Sequence, residues 1–219
     1  MTSFLPLDHV IILVSDPQQA GTAFGEAGFT VTPFSRHSAS MGTGNCCIML
    51  ESAYIEIIGV VEVTPANAGW RGLLEKGAGI RGIALRTADV EVTSREIAEK
   101  TGIAPEPVRH FSRQTDDGEL RFSVARIDTA STPGFQCLAC QHHTPELLWR
   151  PELMRHANGA RRLVSVSTPG ADMLQPFASA SPTGTALVKG RNELVIAASD
   201  NRHIDLREIC GTEISLVRA

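Results

Sequence analysis

Glu56 sits in the run Tyr54-Ile55-Glu56-Ile57-Ile58, and a carboxylate in such company invites a chemical reading. Alternate residues of a strand share a face, so Tyr54, Glu56 and Ile58 project together. A carboxylate among apolar neighbours costs several kcal/mol unless it is neutral, paired or metal-bound. Function at Glu56 therefore competes with a plainer role, an ion pair to an arginine from elsewhere in the chain. His9 raises the same question in Asp8-His9-Val10-Ile11-Ile12-Leu13-Val14. His9, Ile11 and Leu13 share one strand face, and Val10, Ile12 and Val14 share the other. The second set suits packing beneath a helix and leaves His9 on the opposite side. Its plainer role is a hydrogen-bonded histidine at a strand start. Brought together, imidazole and carboxylate suit proton transfer, or a Zn, Fe, Mn or Ni ion with open positions for substrate oxygens.

Other residues are weaker candidates. In His142-His143, neighbours on a strand point to opposite faces, so at most one can join a site. Cys137-Leu138-Ala139-Cys140 has the C-x-x-C spacing, but redox and zinc pairs occupy turns or helix starts rather than strands. These cysteines, like Cys46-Cys47, read as core thiols. Met41-Gly42-Thr43-Gly44-Asn45 is glycine-rich but lacks the Lys-Ser/Thr ending of a phosphate loop, and reads as a loop bordering a groove. Arg113, Arg121 and Arg126 could meet an anionic substrate, with a solvated strand face as the alternative. Trp149, in Leu147-Leu148-Trp149, reads as a core anchor.

These side chains need elements to hold them. Asp8–Val14 is an apolar, β-branched strand. Asp16-Pro17 then caps a helix carrying Ala20, Ala23, Phe24 and Ala27, which Gly28 stops. Residues 29–34, 45–51 and 54–60 read as three more strands, the last two a hairpin through Ser52-Ala53. The order is β-α-β-β-β, and it recurs. Gly82–Thr87 is a strand, Asp89 caps a helix ending at Gly102, and residues 121–127 and 135–140 are strands after the turn signal Asp116-Asp117-Gly118. A third, truncated copy starts near Leu163. The expected organisation is a first βαβββ module over 5–62, a second over 78–143, a helical connector over 144–160 and a partial βαββ module over 161–209.

The opening Leu7-Asp8-His9-Val10, the helix end Gly28-Phe29, the stretches 41–45 and 54–58, and residues 140–152 (CQHHTPELLWRPE) together resemble the glyoxalase-like domain family of the vicinal-oxygen-chelate superfamily. The resemblance covers roughly residues 5–160. It implies an α+β fold in which tandem βαβββ modules form a curled mixed sheet, a half-barrel, with helices on its convex side and the truncated module at the C-terminus. It also implies a site in the groove, where each module usually gives a divalent ion one ligand from its first strand and one from its fourth. That assigns His9 and Glu56 to the metal, with His142 or His37 as a third ligand. Glu56 becomes the catalytic base, and Tyr54, Asn45 and Arg113 the substrate contacts. Register with Asp89 puts Gly82 where His9 stands, and Cys137 nearest the position of Glu56, with Gln136, Cys140 and His142 within the register error. The second module thus breaks the pattern.

Three functions follow. The first is a metal-dependent lyase, isomerase or dioxygenase-like enzyme acting on a small oxygenated metabolite. The second is a metal-free binding or sequestering protein of the bleomycin-resistance type. The third is a partner-binding module. Dimerisation is a further expectation of the resemblance, as a homodimer pairing modules across chains. A net charge of −4 without a Lys/Arg cluster gives no footprint for nucleic acid or an anionic membrane. The start of the chain lacks a signal-peptide pattern, and five cysteines are too few for a disulfide scaffold, so a cytoplasmic location is expected.

Overall fold

The computed structural model describes residues 5–177 and 184–219. Residues 1–4 of the N-terminal stretch and residues 178–183 of the expected third module lie outside the described residues.

The N-terminal half begins with β1 (Leu7–Leu13), every residue of which is buried. Helix α1 (Pro17–Glu26) follows. Asp16 accepts hydrogen bonds from the backbone N–H groups of Gln18 and Gln19 at 3.0 Å, satisfying donors that a helix start leaves open. Strands β2 (Ser35–Arg36), β3 (Thr43–Met49) and β4 (Tyr54–Val60) complete the first set. The strand expected over 29–34 is absent. Pro33 has no N–H to give a ladder, and Thr32 instead bonds Cys47 from both its backbone and its side chain, leaving two-residue β2 as the edge.

Helix α2 (Ala68–Leu74) leads to the second set: β5 (Gly79–Arg86), α3 (Val90–Thr101), β6 (Arg109–Thr115), β7 (Gly118–Arg126) and β8 (Gln136–His142). Asp89 caps α3 through the Val92 N–H, and Gly102, at φ 72°, ends it. Neither α2 nor β6 is anticipated by the sequence reading. Polar β6, with Phe111 its one apolar residue, carries no alternating pattern.

All eight strands form one curled sheet in the order β2-β3-β4-β1-β5-β8-β7-β6. β1 pairs parallel with β4 and antiparallel with β5, which in turn pairs parallel with β8. The sets superimpose through equivalent bonds, Val14 N–H to the Ile58 carbonyl and Thr87 N–H to that of Cys140. Gly82 thus matches His9, as expected from Asp89. The match to Glu56 is Leu138 rather than Cys137, because Leu13 pairs with Ile58 as Arg86 pairs with Cys140.

Residues 144–160, expected as a helical connector, hold only a single 3-10 turn over Pro145–Leu147 before an irregular path. Pro151 removes a backbone donor, and the chain is fixed instead by long-range bonds such as Asn158 N–H to the Gly28 carbonyl. A five-stranded sheet follows: β9 (Arg162–Thr168), the short helix α4 (Ala171–Leu174), β10 (Ala186–Lys189), β11 (Glu193–Ala198), β12 (Arg202–Leu206), the short helix α5 (Arg207–Cys210) and β13 (Thr212–Arg218). Its order is β10-β9-β11-β13-β12. The pairing senses, parallel, antiparallel, parallel, antiparallel, repeat those along β4-β1-β5-β8-β7. This sheet is a reduced copy of the larger one.

The two faces of the large sheet have different duties. Val10, Ile12 and Val14 join Phe24 of α1, Ile97 of α3 and Leu163, Val166, Leu194 and Ile214 of the small sheet in one convex-side core. Phe24 is fully buried there, a contribution of about 1.5–3 kcal/mol. Ile11 and Leu13 face the hollow side with Ile58, Trp70 and Leu138. Among the described residues, no helix is long and apolar enough to cross a membrane.

Candidate functional site

The floor of the groove starts from an irregularity in β1. Leu7 pairs with Leu85 and His9 with Ala84, so Asp8 is an extra residue on β1. Such a bulge turns neighbouring side chains toward each other instead of to opposite faces. Asp8 Oδ1 accepts from His9 Nδ1 at 2.8 Å and from His142 Nε2 at 2.9 Å, while Oδ2 accepts from Arg86 Nε at 2.8 Å. Burial alone would raise the Asp8 pKa. The hydrogen bonds and charges of His142 and His9 outweigh burial and hold it well below the usual carboxylate range. An ionised Asp8 only accepts, so it holds a proton on His9 Nδ1 and turns Nε2 into the groove.

There it faces Glu56, with His9 Nε2 3.5 Å from Glu56 Oε2. Tyr54 stacks on the imidazole, ring centroids 4.3 Å apart, and fixes its plane. Asn45 Nδ2 donates to Glu56 Oε1 at 2.5 Å, and Arg113 Nη1 donates to Asn45 Oδ1 at 3.0 Å. Asn45 lies on β3 and Arg113 on β6, near opposite edges of the sheet, so this link runs across the mouth of the half-barrel. The carboxylate does have an arginine from the other module, as the plainer reading required, but an amide stands between them.

Above this floor lies a cavity of about 180 Å³. Ile11, Ile58, Trp70, Phe111, Phe122 and Leu138 give it apolar walls, and His9, His37, Glu56, Arg113 and Arg126 its titratable groups. Burial pushes the His37 imidazole below its ordinary value, against the opposing charge of Glu56; its Nδ1 lies 2.7 Å from Thr43 Oγ1. The Nε atoms of Arg113 and Arg126 are buried without a partner among the described residues. Burial and the nearby Arg109 charge lower the Arg126 pKa, opposed by Glu106 and Glu56.

The structure gathers His9, Glu56, Tyr54, Asn45 and Arg113 around one cavity. It does not bring His142 to the His9–Glu56 pair. His142 sits on Asp8, edge-on to Tyr54, Phe122 and Trp149, and opens to a separate surface pocket with Glu51 and Arg86. His143 points away and meets Ser123 Oγ at 2.7 Å. Arg121 borders that same outer surface, not the groove. Trp70 on α2 and Phe111 on β6 were missed along with their elements. The spacing of Trp70, Leu73 and Leu74 after the start signal Thr64-Pro65 could have found the first.

As a resident metal centre the groove is short of donors. His9 and Glu56 supply two, Gly82 and Leu138 supply none, His37 lines the cavity but does not bring a ligand atom within 4.8 Å of both His9 and Glu56, and two guanidinium groups share the space. Asp8, Cys140 and His142 also keep ligand atoms within 4.8 Å of one another. However, the Asp8 oxygens are already occupied by three donors. Burial also raises the Cys140 thiol, which keeps its proton. Cys137 faces the opposite core and is pushed up to about 12 by burial.

A family model for the glyoxalase-like domain matches residues 7–179. The chain belongs to the glyoxalase-like domain family. Its place in the vicinal-oxygen-chelate superfamily agrees with the paired modules and the curled sheet. No curated protein matches the sequence. A hypothetical protein from Staphylococcus aureus has a similar crystal structure, with a TM-score of 0.70 and 12% identity over 98% of this glyoxalase-like chain and 100% of the other. Its length takes in the small C-terminal sheet as well. Methylmalonyl-CoA epimerase from Streptomyces coelicolor, a variant in complex with 2-nitronate-propionyl-CoA, matches with a TM-score of 0.49 and 19% identity, over 64% of this chain and 99% of that one. The Mycobacterium tuberculosis epimerase gives 0.47 and 19%, over 64% and 91%.

Proposed function

We propose that this glyoxalase-like protein binds a small oxygenated metabolite in the groove and that His9 and Glu56 move a proton on it. The observation that carries this is the 3.5 Å approach of His9 Nε2 to Glu56 Oε2 on the floor of a mostly apolar cavity. Each group is held from behind, His9 by Asp8 and Tyr54, Glu56 by Asn45. A base placed this way is preorganised for a proton next to a carbonyl, the chemistry of isomerases and lyases. Asn45 and Arg113, with N–H groups at the cavity wall, would take the substrate oxygens. The five buried, unpaired thiols suit a reducing, cytoplasmic setting.

Proton exchange tests this without knowledge of the natural substrate. A panel of small 2-oxo and 2-hydroxy compounds in D₂O is followed by NMR for loss of the α-proton. Exchange catalysed by the wild type and lowered about 10²–10⁴-fold in Glu56→Gln, with the fold intact, is the expected result. Exchange unaffected by that substitution rules out the base.

A second reading has an observation of its own: His9 Nε2 and Glu56 Oε2 lie 3.5 Å apart, a spacing two ligands of one ion can adopt. Elemental analysis of untagged protein, with His9→Ala and Glu56→Ala as controls, decides it. A stoichiometric divalent ion lost in both variants supports it. A metal-free binding role would appear in thermal-shift screening as stabilisation by compounds and never by divalent cations.

A further inference from the structure

We infer that the groove holds a subsite for one carboxylate group, built by Arg126 and Arg113, and that the ligand is a monoanionic acid with an apolar or aromatic body. This rests on the groove being the ligand site.

The guanidinium of Arg126 enters the cavity from β7 and makes no side-chain hydrogen bond or ion pair among the described residues. Glu106, one of two carboxylates whose charge acts on Arg126, is engaged by Arg109 at 3.2 Å. Arg113 spends one N–H group on Asn45 and leaves its buried Nε unmatched. A partly buried guanidinium that faces a cavity and reaches no acceptor among the described residues is costly, and an anionic ligand group would offset that cost. Its planar fork of N–H donors matches a carboxylate.

Charge and volume narrow the class. Among the Arg, Lys, Asp and Glu side chains lining the cavity, Arg113 and Arg126 carry two positive charges and Glu56 one negative, so one positive charge is left over. A monoanion balances it, whereas a phosphate dianion overshoots. A cavity of 150 Å³ accepts benzene, so about 180 Å³ accommodates a ligand of about seven non-hydrogen atoms. Phe111, Phe122 and Trp70 give its body an aromatic surround.

The test is NMR on the full chain, following both ligand signals and the Trp70 indole signal, with matched fragments of about six to nine non-hydrogen atoms, each body presented as carboxylate, carboxamide and phosphate monoester. Carboxylates are expected to bind most tightly. Arg126→Met is expected to weaken them about ten- to a hundredfold while leaving the carboxamides unchanged, and Arg126→Lys to restore part of the difference. Carboxamides or phosphate esters binding as well as the acids, or acids indifferent to Arg126→Met, would overturn the subsite while leaving groove binding in place. No fragment of any kind perturbing the Trp70 indole signal would overturn both.

Discussion

Arg126→Met should make the unliganded protein more stable, an unusual outcome for a substitution in the wall of a cavity. The buried Nε of Arg126 has no acceptor, and an unsatisfied buried donor costs about 1–3 kcal/mol. Arg126 is half-buried, so solvent recovers part of that, and a net gain of about 1 kcal/mol is the reasonable figure. Methionine keeps an unbranched apolar stem in a cavity wall that also holds Val124 and Phe111, and removes the unpaired donors. For a chain of 219 residues, 1 kcal/mol is about 2–4 °C in Tm. Scanning calorimetry of both proteins without ligand measures it. A carboxylate fragment should then reverse the order, since ligand at a hundred times the wild-type Kd adds about 2.7 kcal/mol to the wild type and, with binding ten- to a hundredfold weaker, only about 0.4–1.4 kcal/mol to the variant. A variant melting several degrees below wild type would refute the reasoning, because Arg126 would then be stabilising the fold.

Asp8→Asn should cost about 3–5 kcal/mol, since it leaves Arg86 and two imidazoles facing a neutral amide. Because the folded-state pKa of Asp8 is depressed, its contribution is fully present above the unfolded value of about 3.9 and fades as pH falls through the lower folded value, so the urea midpoints of wild type and variant should converge only below about pH 4. Gly82→Ala should destabilise by about 1–3 kcal/mol, because a Cβ there would lie 2.7 Å from the Gln136 carbonyl oxygen. Urea denaturation reads it directly, and an unchanged midpoint contradicts the packing argument. The five cysteines should resist a thiol reagent at pH 8 in the native state and all react once unfolded, since burial holds Cys46 at about 11 and Cys137 and Cys210 at about 12. Rapid labelling of any of them in native protein would contradict this.

Much of the architecture was legible because the signals were strong. The caps at Asp16 and Asp89 start helices at matching points in the two modules, and the apolar alternation of β1 and β4 placed His9 and Glu56 on one face. Where patterns were weak, the reading failed. β6 is polar and holds its place by pairing with β7, so it carried no periodic signature. The connector showed proline and cap signals, but two prolines and long-range bonds turned it into irregular chain. At the site, alternation gave the faces but not the register. A one-step error exchanged Cys137, in the core, for Leu138, in the groove. The His9–Asp8–His142 cluster was not readable, because it depends on a bulge and on a residue 134 positions away. Arg126 was visible as one arginine among three. Alternation along β7 separates it from Arg121 on the outer face, whereas the place of Arg113 in the groove depended on β6, which carried no pattern.

A crystal structure of the full chain soaked with the tightest carboxylate fragment tests the central claim most directly. The expected result is the fragment in the groove, its carboxylate within hydrogen-bond distance of Arg126 and its body over His9 and Glu56. Density instead in the surface pocket beside His142, or a groove filled by rearranged side chains, would contradict the account.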